Sequence, residues 1–337
     1  MQALLIDGLE SCRMEQVAEP RPGPGEVLVD VRHIGLCGSD LATFTGLNPL
    51  VSLPRIPGHE LGVEILEPGP DVPADYAPGR RAIVMPYTAC GTCSACRAGR
   101  VNACRHNRTL GVQQDGGLSE RFVLPFGKLI LNDRLAPRHL ALVEPLSVGF
   151  HAVERGRISQ GDTVVVLGCG MIGMGAVIGA VARGARVIAV DYGEKTRIAR
   201  SFGAAHSIDP GTEDVFARVA ELTGGHGADV VVEAVGLPAT FTQAIDLVCF
   251  AGRVVYIGYS KAPVSYETRF FNLKELDILG SRNALRSDFD AVIAWMEARE
   301  TPLDVLITRI FPFAEATDAL PTWVRERATT LKFLIER

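Results

Sequence analysis

The chain has 337 residues, enough for two domains with separate cores. Its 47% apolar and 22% charged residues match ordinary folded proteins and exclude disorder, collagen-like repeats and low complexity. A net charge of −5, with no continuous Lys/Arg stripe, argues against nucleic acid and anionic membrane surfaces as partners.

The opening MQALLIDGLESCRMEQ has no basic leader ahead of a long apolar core, so no secretory signal is expected. The longest apolar stretch, residues 164–182, is interrupted by five glycines and is not read as a membrane span. A cytoplasmic protein follows, in which reducing conditions disfavour structural disulfides. From Glu26 to about Leu131 come EVLVDVRHIG, ELGVEILEPG, RRAIVMPY and GGLSERFVLP, short apolar or alternating runs bounded by Gly and Pro. They predict a mostly-β domain with long loops and no long amphipathic helix.

Chemistry-bearing residues are scattered through that domain. GLCGSD supplies Cys37, Ser39 and Asp40, PGHE supplies His59 and Glu60, and EPLSVG supplies Glu144. Taken alone, these read as polar loop residues, a buried thiol and a capping serine. Four of the eight cysteines fall in CGTCSACRAGRVNAC, as Cys90, Cys93, Cys96 and Cys104 with spacing C-x2-C-x2-C-x7-C. Two-residue gaps let neighbouring thiolates converge on one ion, and four thiolates suit tetrahedral Zn²⁺, with an iron–sulfur cluster as the rival. A redox pair needs only two cysteines. The polar, Gly-rich surroundings predict a lobe held together by metal.

From Gly161 onward, strands and helices alternate: DTVVVLG, MIGMGAVIGAVARG, ARVIAVD, EKTRIARSFGA, ADVVVEAVG, ATFTQAIDLVCFAG and RVVYIGY. Near-continuous Val/Ile runs, each followed by a helix, predict a parallel sheet covered on both faces, hence an α/β protein. Between the first strand and helix lie Gly168, Gly170 and Gly173 in G-x-G-x-x-G spacing. This is a dinucleotide turn: room for a tight bend, close pyrophosphate approach and close helix packing. Asp191 ends the next strand, eighteen residues after Gly173. Its carboxylate accepts from a ribose and repels a 2′-phosphate, which favours NAD over NADP, with Lys195 and Arg197 pulling the other way. From about Asn283 the chain returns to mixed helix and strand, too short for a domain and expected to pack on the N-terminal part. Cys12 and Cys249 read as small buried apolar residues and Cys169 as a compact turn residue.

In order along the chain, GEVLVDVRHIGLCGSD, PGHE, the four-cysteine lobe, EPLSVGFHAV and the dinucleotide turn resemble the zinc-dependent medium-chain alcohol dehydrogenases over essentially the whole length. The Glu in EPLSVG looks like the sorbitol and polyol branch; a Cys commonly stands there in the simple-alcohol branch. The resemblance implies a GroES-like mostly-β catalytic domain at 1–145 with a structural-zinc lobe at 88–106. It further implies a Rossmann doubly wound parallel-sheet domain at 146–282 and a segment at 283–337 that returns to the catalytic domain. Two Zn²⁺ per subunit are implied. The catalytic ion is held by Cys37 and His59, with Glu60 and Glu144 competing for the third place; Cys90, Cys93, Cys96 and Cys104 hold the other. Asp40 matches the carboxylate behind the liganding imidazole. Gly168, Gly170, Met171, Ile172, Gly173, Asp191, Val235, Gly236 and Arg282 form the implied NAD-binding set.

Two departures stand out. A His that commonly ends a proton relay is Ala42 here, and a family glycine after GHE stands one residue early, as Gly62 followed by Val63. The implied chemistry is hydride transfer from a secondary alcohol carbon to nicotinamide, with zinc as Lewis acid and Ser39 passing the proton. In GSRNALRSD, Arg282 offers a fork for a carboxylate, which favours a sugar acid of the gulonate or galactonate type over a neutral polyol. Arg55, Arg286 and Lys332 are weaker substrate candidates. Alternatives are a non-catalytic NAD- and zinc-binding sensor, or a dehydrogenase of threonine or butanediol. A zinc-free reductase of the superfamily normally lacks both the lobe and the Cys37/His59 pair. The family also implies a homodimer or homotetramer, joined through Rossmann sheet edges.

Overall fold

The computed structural model describes residues 1–299 and 302–337. In chain order the elements begin with β1 (Gln2–Gly8), β2 (Ser11–Gln16), β3 (Glu26–Gly35), α1 (Gly38–Phe44), β4 (Glu60–Pro68), β5 (Arg81–Val84) and β6 (Tyr87–Thr88). Next come α2 (Ser94–Arg97), β7 (Arg108–Thr109), β8 (Arg121–Pro125), β9 (Leu129–Leu131), α3 (Pro137–Leu140), α4 (Val143–Arg155), β10 (Thr163–Leu167) and α5 (Met171–Ala182). They continue with β11 (Arg186–Val190), α6 (Glu194–Ser201), β12 (His206–Ile208), α7 (Val215–Leu222), β13 (Ala228–Glu233), α8 (Pro238–Leu247) and β14 (Val248–Tyr256). The last are α9 (Arg269–Leu273), β15 (Asp277–Gly280), α10 (Arg286–Glu297), β16 (Arg309–Pro312), α11 (Ala316–Glu326) and β17 (Phe333–Glu336). Two compact units result, one of Met1–Glu144 with Met296–Arg337, the other of Pro145–Trp295.

The first unit is built around β3. Its Val27, Val29, Val31 and Ile34 are fully buried, and each such side chain contributes about 1.5–3 kcal/mol of burial. β3 is antiparallel to β4 along one edge, while its other edge takes β8 at the start and β17 at the end. Two register shifts against β4 bend this long strand. The pairing brings Gly35 opposite both Glu60 and Leu334, so the ends of β3, β4 and β17 converge. A separate two-stranded ribbon, β6 with β7, carries the cysteine loop between its strands.

The second unit holds a six-stranded parallel sheet in the order β12-β11-β10-β13-β14-β15. Numbered within the unit this is 3-2-1-4-5-6, the Rossmann order, with the strand direction of travel reversing between β10 and β13. Two expectations shift. The helix expected over ATFTQAIDLVCFAG stops at Leu247, and the β-forming Val248-Cys249-Phe250 starts β14, pairing Val248 with Ala228. The return to the first unit begins at Met296 rather than Asn283. Helix α10 stays with the second unit because Asp288 accepts from His151 at 2.9 Å and Trp295 packs on Phe202 at 5.9 Å. Among the described residues no helix is long and apolar enough to cross a membrane.

Candidate metal and dinucleotide sites

The four lobe cysteines are brought together. Cys93–Cys96, Cys90–Cys104 and Cys93–Cys104 sulfurs lie 3.5, 3.6 and 3.9 Å apart. A tetrahedral ion with bonds of about 2.3 Å sets its thiolates about 3.8 Å apart, so this spacing fits one Zn²⁺. An iron–sulfur cluster would spread the sulfurs around several irons and needs a wider cage. Backbone N–H groups of Cys90, Cys93 and His106 point at cysteine sulfurs at 3.3–3.4 Å. The Thr92 hydroxyl, then backbone N–H groups, hold the Cys90 thiol down to about 5. Burial pushes Cys96 up to about 12.

The second centre sits where β3, β4 and β17 converge. Cys37 precedes α1, and the Asp40 carboxylate accepts the Cys37 N–H at 2.9 Å, fixing that turn. His59 stands just before β4 and Glu60 opens it. One donor atom from each of Cys37, His59 and Glu60 lies within 4.8 Å of the others, a set one zinc can bridge. Behind them, His59 Nδ1 faces Asp40 Oδ1 at 3.9 Å, and neither atom has a hydrogen-bond partner. Burial lowers the His59 pKa, but Cys37, Asp40 and Glu144 outweigh it and hold the imidazole well above its usual value.

The two glutamates are held differently. Lys332 Nζ bonds both Glu60 oxygens, one at 2.7 Å, and the Leu36 carbonyl at 2.8 Å, all of it buried. Glu144, the second residue of α4, accepts the hydroxyl of buried Tyr87 on Oε1. It lies outside the tight donor set. Burial pushes the Glu144 carboxyl up to about 7. Ser39 Oγ is buried without a partner, while Thr43 and Asn48 bond the Ser39 carbonyl at 2.8 and 3.3 Å. The early glycine also has a steric cause: a Cβ on Gly62 would lie 2.9 Å from Leu140 Cβ and the Pro137 carbonyl.

In the second unit, Gly168 turns at φ +90° immediately after β10, and Gly170 caps α5 with open space beside its Cα. A Cβ on Gly173 would lie 1.8 Å from the Gly168 carbonyl, so only glycine packs there. The N–H groups that open α5, at Met171 and Ile172, form a helix N-terminus of the kind that suits an anion such as a pyrophosphate. Asp191 follows β11 and accepts the Cys169 and Tyr192 N–H groups at 2.6 and 2.7 Å. Val235 and Gly236 follow β13, where their N–H groups bond buried Glu233 at 2.9 and 2.7 Å. Cys169 is buried, and burial raises its thiol pKa further from reactivity.

The substrate candidates separate. Arg282 is half-buried in the loop after β15. Arg55 bonds Asp115 at 2.8 Å and Arg286 bonds Asp290 at 2.8 Å. Lys332 is buried, with its ammonium on Glu60 beside the Cys37–His59–Glu60 set. Sequence reasoning missed that partnership and missed Tyr87 altogether. Nothing local in PYTAC marks that tyrosine as reaching a glutamate 57 positions away.

Sequence profiles for an alcohol dehydrogenase GroES-like domain and a zinc-binding dehydrogenase match residues 23–133 and 172–298. The chain is 36% identical over 319 residues to L-galactonate-5-dehydrogenase of Escherichia coli K12, covering 93% of this chain and 92% of that one. It is 32% identical over 314 residues to sorbitol dehydrogenase of Halalkalibacterium halodurans, covering 90% and 89%. A solved structure of a short chain alcohol dehydrogenase from Escherichia coli CFT073, complexed with NADH, superposes with TM-score 0.92 at 29% identity, covering 100% and 99%.

Proposed function

The chain belongs to the zinc-type medium-chain alcohol dehydrogenases, in their polyol and sugar-acid branch, and from that premise we propose that it oxidises a secondary hydroxyl of an aldonate of the galactonate or gulonate type, with NAD as hydride acceptor. The observation that carries this reading is the convergence of Cys37, His59 and Glu60 on one ion-sized point in a chain that also carries the Rossmann glycine turn. Zinc bound there supplies Lewis-acid polarisation of a hydroxyl, and NAD accepts the hydride.

The chain's own groups do the rest. Cys37, His59 and Glu60 hold the ion, Asp40 orients the His59 ring, and Lys332 neutralises Glu60. Ser39 Oγ, buried and unengaged, takes the proton leaving the substrate, the role that the absence of a histidine at Ala42 leaves to it and to solvent. Gly168, Gly170, Met171, Ile172 and Gly173 receive the pyrophosphate, Asp191 the adenosine ribose, and Val235 and Gly236 line the turn after β13. Arg282 offers the bidentate fork for a substrate carboxylate. In a screen for reduced-nicotinamide absorbance, aldonates exceed neutral polyols, and NAD exceeds NADP. Turnover confined to simple primary alcohols would refute this reading.

We also assign a homodimer or homotetramer. β15 is the last strand of its sheet, with Ile278 41% exposed, and beside it Phe250 and Leu273 are 70% and 64% exposed. Sedimentation should give a dimer or tetramer mass; a monomer rejects the assignment. Eight cysteines without a disulfide among them fit a cytosolic setting, which cell fractionation tests.

A further inference from the structure

Tyr87 is 8% exposed, and its hydroxyl donates to Glu144 Oε1. Its backbone is fixed from three sides. Tyr87 pairs with Thr109 across β6 and β7, the Leu110 N–H bonds the Pro86 carbonyl at 3.1 Å, and Lys128 Nζ bonds the Tyr87 carbonyl. The return strand is itself braced, with Asn107 Nδ2 bonding Thr109 Oγ1 at 2.8 Å. β6 and β7 are the two stems of the four-cysteine loop, so the phenol is held rigidly at the base of that lobe.

Glu144 needs such a restraint. A buried carboxylate that interacts with His59 and Glu60 is drawn toward a divalent cation bound there. Were it to join Cys37, His59 and Glu60, four protein ligands would fill the tetrahedron, the arrangement of a closed structural site. A catalytic site keeps one place open. We propose that Tyr87 is a positioning residue that keeps Glu144 out of the metal's coordination shell, leaving the fourth position for the substrate hydroxyl. This rests on the zinc reading above. A neutral phenol suits the task, because it engages a lone pair while leaving the carboxylate charge near the ion intact. Lys332 acts on Glu60 with the opposite result: it cancels the charge.

The test uses cobalt(II) in the Cys37–His59 site with zinc kept in the lobe, and it needs no substrate. In Tyr87→Phe, released Glu144 enters the shell. The visible d–d bands shift as the carboxylate displaces water from a shell that stays four-coordinate, and release of the ion to a chelator slows about tenfold, within the span of outer-shell effects on metal affinity. In Tyr87→Phe/Glu144→Gln, both readouts return to those of Glu144→Gln alone. A Tyr87→Phe spectrum and release rate matching the parent overturn the proposal, as does a change that persists with Gln at position 144. An empty substrate screen would remove the assigned reaction and leave these readouts standing. A site that takes up no cobalt would remove the zinc reading itself.

Discussion

Replacing Lys332 by Met removes one member of a pair whose side chains are 3% and 1% exposed. At the 2.7 Å separation of Nζ and Oε1 and an effective dielectric of about 20, the direct attraction is about 6 kcal/mol. The methionine keeps the volume, so the loss falls on Glu60, stranded as a buried anion or forced to bind a proton. Removing one partner of a buried pair costs about 3–5 kcal/mol, and that is the loss expected for Lys332→Met in zinc-stripped protein. Urea unfolding followed by the fluorescence of Trp323, buried in α11 of the same unit, measures it in a Trp295→Phe background. Changing both partners, as Lys332→Met/Glu60→Gln, should recover all but about 1 kcal/mol, because no unpaired charge remains. A single variant within about 1 kcal/mol of the parent, or a double variant no better than the single, would show that the pair is not buried as a unit.

Three further outcomes follow from the geometry. Gly173→Ala, which drives a Cβ to 1.8 Å from the Gly168 carbonyl, should abolish NADH binding in a fluorescence titration; retained affinity refutes the packing argument. Asp191→Ser should lower NAD affinity and raise NADP affinity, each by about tenfold, as expected for removal of one charge-assisted hydrogen bond and one repulsion. Zinc affinity of the stripped protein should rise as pH increases from about 6 to 8. The sign follows from His59, whose pKa Cys37, Asp40 and Glu144 raise against the effect of burial: the ring must lose its proton before it can ligate an ion. A competition titration with a chromophoric chelator that shows no rise across this range rejects that linkage.

What the sequence disclosed was what lies close along the chain. The four cysteines sit within one loop and the three glycines within one turn, so spacing alone places their atoms, and the structure finds sulfurs 3.5–3.9 Å apart and a glycine that no other residue can replace. The Val/Ile runs likewise declared a parallel sheet, because strands buried on both faces leave no room for alternation. Partnerships formed by folding were hidden. Lys332 reaches Glu60 across 272 residues, through the pairing of β17 with β3, and the sequence offers it only as a weaker candidate for a substrate contact. Val248 was drawn into a helix by an apolar run that suits either structure until a neighbouring strand decides.

The same distant contacts explain why this metal centre tolerates burial. Cys37, Glu60 and Glu144 bring three acidic groups into one buried place, with Asp40 behind them, and Lys332 brings one ammonium. With zinc bound, its ligands Cys37 and Glu60 must be deprotonated, and counted with an ionised Glu144 and the Lys332 ammonium they leave two negative charges, which the divalent cation cancels. The same acidic neighbours, Cys37, Asp40 and Glu144, raise the His59 pKa against the opposing effect of burial. Remove the ammonium, and the site around a bound zinc carries one negative charge too many. An extra negative charge beside a polarised hydroxyl opposes loss of its proton. Lys332→Met should therefore move the alkaline shift in kcat/KM to higher pH even where the fold survives, a displacement that a purely architectural lysine would leave untouched.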